Sequence, residues 1–451
     1  MKIIVIGCGK IGLSLVKQLT QEGHIVTVID KNSTRLKTAL SNLDVMSYTG
    51  DGTSSVTLRE AGIGDADLMV AVMDSDEMNL LCCVIAQKVS KCRTIARVRN
   101  PIYNSEIEFL KNELDISMIF NPELTAAEEI ARIFNFPYAT KIDVFSNRKV
   151  EMVHFKIKLD SKLSKLHIVD IRAKYNANVL VCTVTRGDRT IIPGGDFILE
   201  QGDLVGIVGA RTEINKFFKM FGVGTDRVPD AMIVGGGKIG YFLAKKLIES
   251  GIKVKIVEAD RDRCEFLADV LPEADIINGD GTDRNLLMEE GLGNASGFAA
   301  LTSIDEENIL LSLFAIDHVR AKTVTKVNRI NYDEVIDRLN LDTIINPNKV
   351  SNDLLIQFIR SMYYTKDSDI ENYRKIGDDE AEAMEFIVKD GSHVVDIPLM
   401  QLKKKKDVLI CCITRDKKII IPGGQDLIKV GDRVVIVHTT SDINNIDDIL
   451  E

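Results

Sequence analysis

The chain has no excess of basic charge: 57 Lys and Arg stand against 67 Asp and Glu, a formal net charge of -10. A nucleic-acid backbone is held by clustered Lys and Arg, so this balance argues against DNA or RNA as a bulk electrostatic partner. Nor does any apolar run approach the ~18 residues that a membrane-crossing helix needs. The opening MKIIVIGCGKIG is too short and too broken by glycine for a signal peptide. A cytosolic location is therefore expected, unless a partner recruits the chain to a membrane.

Metal and catalytic spacings are missing as well. The eight cysteines show no CxxC geometry, and the adjacent pairs Cys82-Cys83 and Cys411-Cys412 lie inside apolar runs. They read as buried thiols of a reducing compartment. The six histidines, His24, His154, His167, His318, His393 and His438, include no HExxH-like pair. None directly follows a candidate binding strand, where a hydride-transfer acid would sit. There is no nucleophile elbow and no Walker lysine.

What is present is a duplication. GCGKIG at Gly7 to Gly12 recurs as GGGKIG at Gly235 to Gly240, an offset of 228 residues. Asp30 matches Glu258, GDGT at 50–53 matches GDGT at 279–282, and SDEMN at 75–79 resembles IDEEN at 304–308. TIARVRN (94–100) answers TVTKVNR (323–329), and VLVCTVTRGDRTIIPGG (179–195) answers VLICCITRDKKIIIPGG (408–424). GVGTDRVPD, residues 222–230, reads as the linker between the two copies. With 45% apolar residues over 451 positions, three to four domains with ordinary cores are expected.

The front of each copy alternates strand and helix. KIIVIG is an all-apolar strand, IGLSLVKQLTQEG a helix ended by Gly23, and HIVTVID and DLMVAVMD are further strands. Strands apolar on both faces imply a parallel sheet covered by helices. The back of each copy alternates apolar and polar residues, as in EMVHFKIK and LVCTVTR, and then turns at PGG, which predicts a small α+β module.

A G-x-G-x-x-G string between strand and helix lets backbone approach a pyrophosphate at a helix N-terminus. Gly7, Gly9 and Gly12 meet that need, as do Gly235, Gly237 and Gly240. Asp30 and Glu258, about 20 residues on, are placed to accept from ribose hydroxyls and to disfavour a 2′-phosphate. That points to NAD or an adenosine nucleotide; a helix cap is the plainer reading of Asp30, and its recurrence at Glu258 favours the ribose. Lys10 and Lys238 either reach a terminal phosphate or sit solvated on the first helical turn. Met73-Asp74 and Thr302-Ser303 are expected to end the fourth strand and border the adenine and ribose. Asp51 and Asp280 either cap a helix or approach the adenine. Arg97 and Lys326, ending the fifth strand, are candidate ligand cations or members of ion pairs. Lys403 to Lys406, the one dense basic run, is expected as a solvated loop flanked by strands.

These stretches, GCGKIG with Asp30, GDGT, VMDSDEMN, ARVRNP, GGGKIG with Glu258, TSIDEENIL and the IIPGG turns, resemble the TrkA family of Trk potassium-uptake regulatory proteins over essentially the whole chain. The resemblance implies tandem Rossmann-like doubly wound sheets of the RCK type, each followed by a small RCK C-terminal module. Their expected spans are 1–122, 123–225, 230–347 and 348–451. It implies a homotetramer whose eight Rossmann-like domains form a ring beneath an integral-membrane potassium channel subunit of Trk or Ktr type, peripheral on the inner face of the cell membrane. It also implies NAD(H) and ATP or ADP as ligands, without turnover. The residues carried over are Gly7, Cys8, Gly9, Lys10, Ile11, Asp30, Met73, Asp74 and Arg97, and Gly235, Gly236, Gly237, Lys238, Ile239, Glu258, Thr302, Ser303 and Lys326. Related regulators often place Arg where this chain has Lys10 and Lys238.

Overall fold

The computed structural model describes residues 1–104, 106–145, 150–157, 161–187, 189–223, 228–319, 321–328, 339, 341–364, 370–376, 380–416, 418–439 and 443–451. The first copy opens with β1 (Lys2–Ile6), β2 (Ile25–Asp30), β3 (Met46–Thr49), β4 (Leu68–Ala71), β5 (Arg93–Arg97) and β6 (Met118–Phe120). They form one sheet in the order β3-β2-β1-β4-β5-β6, with every pairing parallel. This is the doubly wound dinucleotide-binding order, which reverses between β1 and β4.

The local reasons are ordinary. Ile3, Ile4, Val5 and Ile6 are all buried, so β1 must be covered on both faces. The helix Lys10–Gln21 buries Ile11, Leu15, Val16 and Leu19, a stripe at helical spacing, and each such side chain contributes roughly 1.5–3 kcal/mol on burial. That helix stops at Glu22, and Gly23 takes the left-handed conformation (φ 77°) that turns the chain into β2. The expected fourth strand DLMVAVMD is shorter than its apolar run: β4 ends at Ala71, and Met73 and Asp74 lie just beyond.

A five-stranded antiparallel module follows: β7 (Lys141–Phe145), β8 (Val150–Lys156), β9 (Leu180–Arg186), β10 (Arg189–Ile191) and β11 (Leu204–Gly209), ordered β10-β9-β11-β8-β7. Arg186 makes two bonds to the carboxylate of Asp203 (2.8 and 2.9 Å) and a third to the Ile198 carbonyl, clamping the turn after PGG.

The second copy repeats both parts. β12 (Asp230–Val234), β13 (Lys253–Glu258), β14 (Asp275–Asn278), β15 (Gly297–Ala300), β16 (Lys322–Lys326) and β17 (Thr343–Ile345) form a parallel sheet in the order β14-β13-β12-β15-β16-β17. β18 (Ile370–Ile376), β19 (Ala381–Ile387), β20 (Val408–Arg415), β21 (Lys418–Ile420) and β22 (Arg433–His438) form the antiparallel module in the order β18-β19-β22-β20-β21. Arg415 clamps Asp432 and the Leu427 carbonyl as Arg186 does in the first module. The lysine run 403–406 is preceded by turns rather than a strand; Lys404 bridges to Leu450 and only the residues after it enter β20.

In space the copies are regrouped. One compact unit comprises Met1–Ala131 with Pro229–Ile356, the two parallel sheets; the other comprises Arg132–Val228 with Gln357–Glu451, the two antiparallel modules. Within the second unit a shared apolar cluster of Phe145, Val150, Met152, Cys182 and Val208 with Ala381, Cys411, Cys412, Val435 and Val437 joins the modules. Of the expected linker 222–230, residues 224–227 lie outside the described residues.

Candidate nucleotide-binding clefts

Each glycine in the loop after β1 has a separate job. Gly7 sits at φ 103°, a left-handed region that side chains disfavour, and a Cβ there would meet the backbone of Val72 and Met73 at 3.1 Å. Gly12 lies so close under β1 that its Cβ would stand 1.9 Å from the Gly7 carbonyl oxygen. Gly9, by contrast, is an extended N-cap with no atom within 4 Å of the position a Cβ would take. A side chain at Gly9 would thus meet no other part of the chain, and the start of the helix Lys10–Gln21 is left uncovered on that side. The second loop repeats this: Gly235 at φ 106°, Gly240 with a Cβ 2.2 Å from the Gly235 carbonyl oxygen, and Gly237 facing open space.

The acidic residues lock onto these loops. Asp30 Oδ2 accepts from the Cys8 N–H (2.7 Å) and Oδ1 from the Asn32 N–H (2.8 Å). Glu258 Oε2 accepts from the Gly236 N–H (2.7 Å) and Oε1 from the Asp260 N–H (2.9 Å). Asp30 is not the cap of the next helix; Asn32 is, accepting from the Arg35 N–H. The carboxylates thus stand at the cleft edge, anchored by backbone on both sides. Cys8 is buried and its thiol is pushed up by burial and then by Asp30, so it stays neutral. Ile11 is buried under the same loop, and Ile239 is half-buried.

Asp51 and Asp280 build turns. Asp51 Oδ1 accepts from the Thr53 N–H (3.0 Å) and hydroxyl (2.8 Å), and Asp280 repeats both bonds with Thr282 at 2.8 Å. The caps of the helices that follow are Ser54 and Asp283, so neither of the expected aspartates is a helix cap. Lys31 pairs with Asp51 at 3.0 Å.

At the far side of each cleft, a residue not singled out from sequence organises the strand ends. Asn79 is fully buried; its Oδ1 accepts from the Met73 N–H (2.8 Å), and its Nδ2 donates to the carbonyls of Met73 and Arg97 (both 3.0 Å). Asn308 does the same for Thr302 and Lys326 (2.8, 3.2 and 3.0 Å). Both asparagines close the repeated SDEMN and IDEEN stretches, so the repeat itself carried the signal. Asp76 accepts from the N–H groups of Arg99 and Asn100, and Asp305 from the N–H and side chain of Asn328, fixing the loop after the fifth strand.

Neither strand-end cation makes an ion pair within 4 Å among the described residues, although carboxylates lie further off. Arg97 has a buried Nε with no hydrogen bond, and burial, then the charge of Arg99, pushes its guanidinium below the usual range. Among the described residues Lys326 Nζ donates to the Leu301 carbonyl, at 3.4 Å; burial lowers its pKa, while Asp305 and Glu123 act in the opposite sense. A half-buried cation that lacks a close counter-ion is suited to an anion. Two further arginines escaped the sequence reading. Arg35 stands 3.7 Å from Asp30, and Arg263 donates from Nε to the Gly236 carbonyl (2.7 Å) while stacking 4.8 Å from the Phe266 ring. Lys10 and Lys238 are exposed at the start of their helices. Lys238 lines an open hollow together with Asp74, Ser75, Asp76, Glu77, Arg99, Asn100 and Pro101 of the first copy. Ser303 and Asp74 are exposed, Thr302 half-buried.

Each copy therefore brings a glycine loop, a helix start, a backbone-anchored carboxylate and a strand-end cation to the carboxyl ends of its parallel strands. No described helix is long and apolar enough to cross a membrane, and no group of three or more metal-capable side chains occurs among the described residues.

Comparison with known proteins agrees with this arrangement. The TrkA-N domain family matches residues 3–122 and 231–347, and the TrkA-C domain family matches 152–222 and 383–451. The chain is 31% identical over 99% of its length, and of the relative's, to Trk system potassium uptake protein TrkA homolog 1 of Methanosarcina mazei. It is 30% identical to Trk system potassium uptake protein TrkA of Haemophilus influenzae, covering 100% of this chain and 98% of that one. Among solved structures, the GsuK RCK domain superposes with a TM-score of 0.64 at 16% identity over 97% of this chain and 92% of that one. The GsuK channel bound to NAD superposes with a TM-score of 0.65 at 15% identity, covering 97% and 77%. Those two share the fold. With both domain types matched twice and relatives aligned end to end, the chain belongs to the TrkA family of Trk system potassium uptake proteins.

Proposed function

We propose that this chain is the nucleotide-sensing regulatory subunit of a potassium uptake channel of Trk or Ktr type, binding NAD(H) and ATP or ADP in its two glycine clefts. The observation that carries the reading is the twice-repeated glycine loop at a helix start, its N–H bonded to an anchored carboxylate, with a half-buried cation at the end of the fifth strand of each sheet. Backbone N–H groups at the helix start receive the phosphates. Asp30 and Glu258 receive the ribose hydroxyls, and Arg97 and Lys326 supply the compensating charge. Relatives across the full chain are named for potassium uptake, and the GsuK channel of the same fold has been solved with NAD.

In this reading the chain assembles as a homotetrameric ring of eight Rossmann-like domains on the cytoplasmic face of a membrane channel subunit, and turns over no substrate. None of the six histidines lies on a glycine loop or on the strand end facing one. A ligand shifts the ring only through its differential affinity for two shapes, so nucleotides competing for one cleft oppose one another. The test is genetic. Cells lacking the chain should grow poorly at low external potassium, the intact chain should restore growth, and a chain with both Asp30→Ala and Glu258→Ala should not. Normal growth without the chain would overturn the proposal, as would steady oxidation of NADH by the purified chain with a 2-oxo acid.

A further inference from the structure

The two copies differ beside their glycine loops. An arginine comes five residues after the anchored carboxylate in each, Arg35 after Asp30 and Arg263 after Glu258, at the offset of 228 residues that relates the copies. Arg35 is exposed and stands 3.7 Å from Asp30 Oδ2, beyond hydrogen-bond reach. Arg263 is half-buried and held: its Nε donates to the Gly236 carbonyl at 2.7 Å and its Nη2 to the Gly237 carbonyl at 3.4 Å. Glu258 accepts from the N–H of the same Gly236 at 2.7 Å, so carboxylate and guanidinium grip one glycine by its two ends.

The ring neighbours differ as well. The Arg263 guanidinium carbon lies 4.8 Å from the centre of the Phe266 ring, and Phe266 is 6.4 Å from the ring of Tyr241 on the helix Lys238–Glu249. At the same offset the first copy has Thr38 for Phe266 and Leu13 for Tyr241, so neither position supplies a ring to back Arg35. In the second copy the loop carbonyls fix the guanidinium plane and the ring covers one of its faces. The opposite face is the one it can present to a ligand.

We infer that Arg263, backed by Phe266, reads the base in the second cleft by stacking on the adenine of its nucleotide, and that the first cleft, without this platform, binds adenine nucleotides more weakly. The inference rests on the nucleotide-binding function proposed above. A ribose whose hydroxyls rest on Glu258 carries its base on the carbon next to the 2′-hydroxyl, which brings the base to the residues packed around that carboxylate. A guanidinium plane stacks on a base as it does on an aromatic side chain. Arg263 is already ordered before a ligand arrives, whereas Arg35 must be ordered by it, and immobilising one such side chain on binding corresponds to about three- to tenfold in affinity.

Full-length chains with one cleft disabled provide the test. Gly9→Val reports the second cleft and Gly237→Val the first, each titrated by equilibrium dialysis with ADP and with UDP, whose one-ring base offers less area for stacking. The second cleft should bind ADP about three- to tenfold more tightly than the first. Phe266→Thr, which installs the residue of the first copy at an exposed position, should bring the second cleft down to the level of the first. Arg263→Lys keeps the charge and loses the plane; it should weaken ADP binding more than UDP binding, so that the ADP to UDP affinity ratio falls. A merely structural role at the loop would weaken both alike and leave the ratio unmoved. Equal ADP affinities in the two clefts, or a ratio unchanged by both substitutions, would overturn the inference while leaving nucleotide binding intact. Failure of the intact chain to bind ADP at all would overturn the proposed function and this inference together.

Discussion

At the scale of single residues, glycines that look interchangeable in the string G-x-G-x-x-G do opposite things. Gly12 has no room for a methyl group, because its Cβ would lie 1.9 Å from the Gly7 carbonyl oxygen. Gly12→Ala should therefore destabilise the first domain by roughly 1–3 kcal/mol, the usual cost of overpacking, as read by urea denaturation. Gly9 meets no atom of the chain but is the helix N-cap, so Gly9→Val should lower the denaturation midpoint less than Gly12→Ala does and weaken nucleotide binding at the first cleft. Asn79 makes three hydrogen bonds that tie β4's end to β5's. Asn79→Leu strands three buried backbone groups and should cost on the order of 3 kcal/mol. The glycines and the acids Asp30 and Glu258 were legible because their chemistry is fixed by short spacing along the chain. Asn79 and Asn308 were visible only as part of a repeat, since an asparagine in the first turn of a helix says nothing of the strand ends it meets. The aspartates of GDGT stayed ambiguous for a related reason: a carboxylate two residues before a threonine can cap, turn or bind, and only the observed bonds decide.

At the scale of elements, helix starts and strand pairings hold the clefts in place. Asn121 Oδ1 accepts from the N–H groups of Glu123 and Leu124, capping the helix Pro122–Asn135, with Pro122 at its first position. Asn121→Ala should cost about 1 kcal/mol, measurable as a lowered thermal midpoint.

In the first module β7 and β8 bring Asp143 to 3.2 Å from His154 and 3.7 Å from Lys141. Burial alone would raise the Asp143 carboxyl, but Lys141, His154 and Arg374 outweigh it and hold it below the usual carboxylate range. A carboxyl lowered on folding stabilises above its unfolded value of ~3.9 and loses that contribution as pH falls below it. Asp143→Asn should therefore flatten the acid limb of the stability profile below about pH 4, measured by denaturation across pH. Equal acid limbs in the two chains would count against this pairing.

Strand positions were readable from runs of apolar residues, but the end of β4 was not. Val72 still donates to the Ile6 carbonyl of β1 (2.9 Å), but Met73, which continues the apolar pattern, is held by Asn79 rather than by a neighbouring strand.

At the scale of the whole molecule, the duplication was plain from repeated motifs, while the grouping of the copies was not. Contacts join the two parallel-sheet domains in one unit and the two antiparallel modules in another, so each unit draws on both halves of the sequence. Periodicity within a segment reports which face is buried, and says nothing of which distant segment buries it. Arg97 and Lys326 belong to that same level: each is an ordinary strand-end cation in sequence, and only the packed domain shows it without an ion pair within 4 Å among the described residues.

The central claim is that each copy holds one adenine nucleotide by its phosphates. Equilibrium dialysis of the full chain against NADH measures this directly. Two bound molecules per chain are predicted, falling to one in Gly9→Val or Gly237→Val and to none in the double variant. Absence of binding to the intact chain, or binding that survives both substitutions, would contradict it.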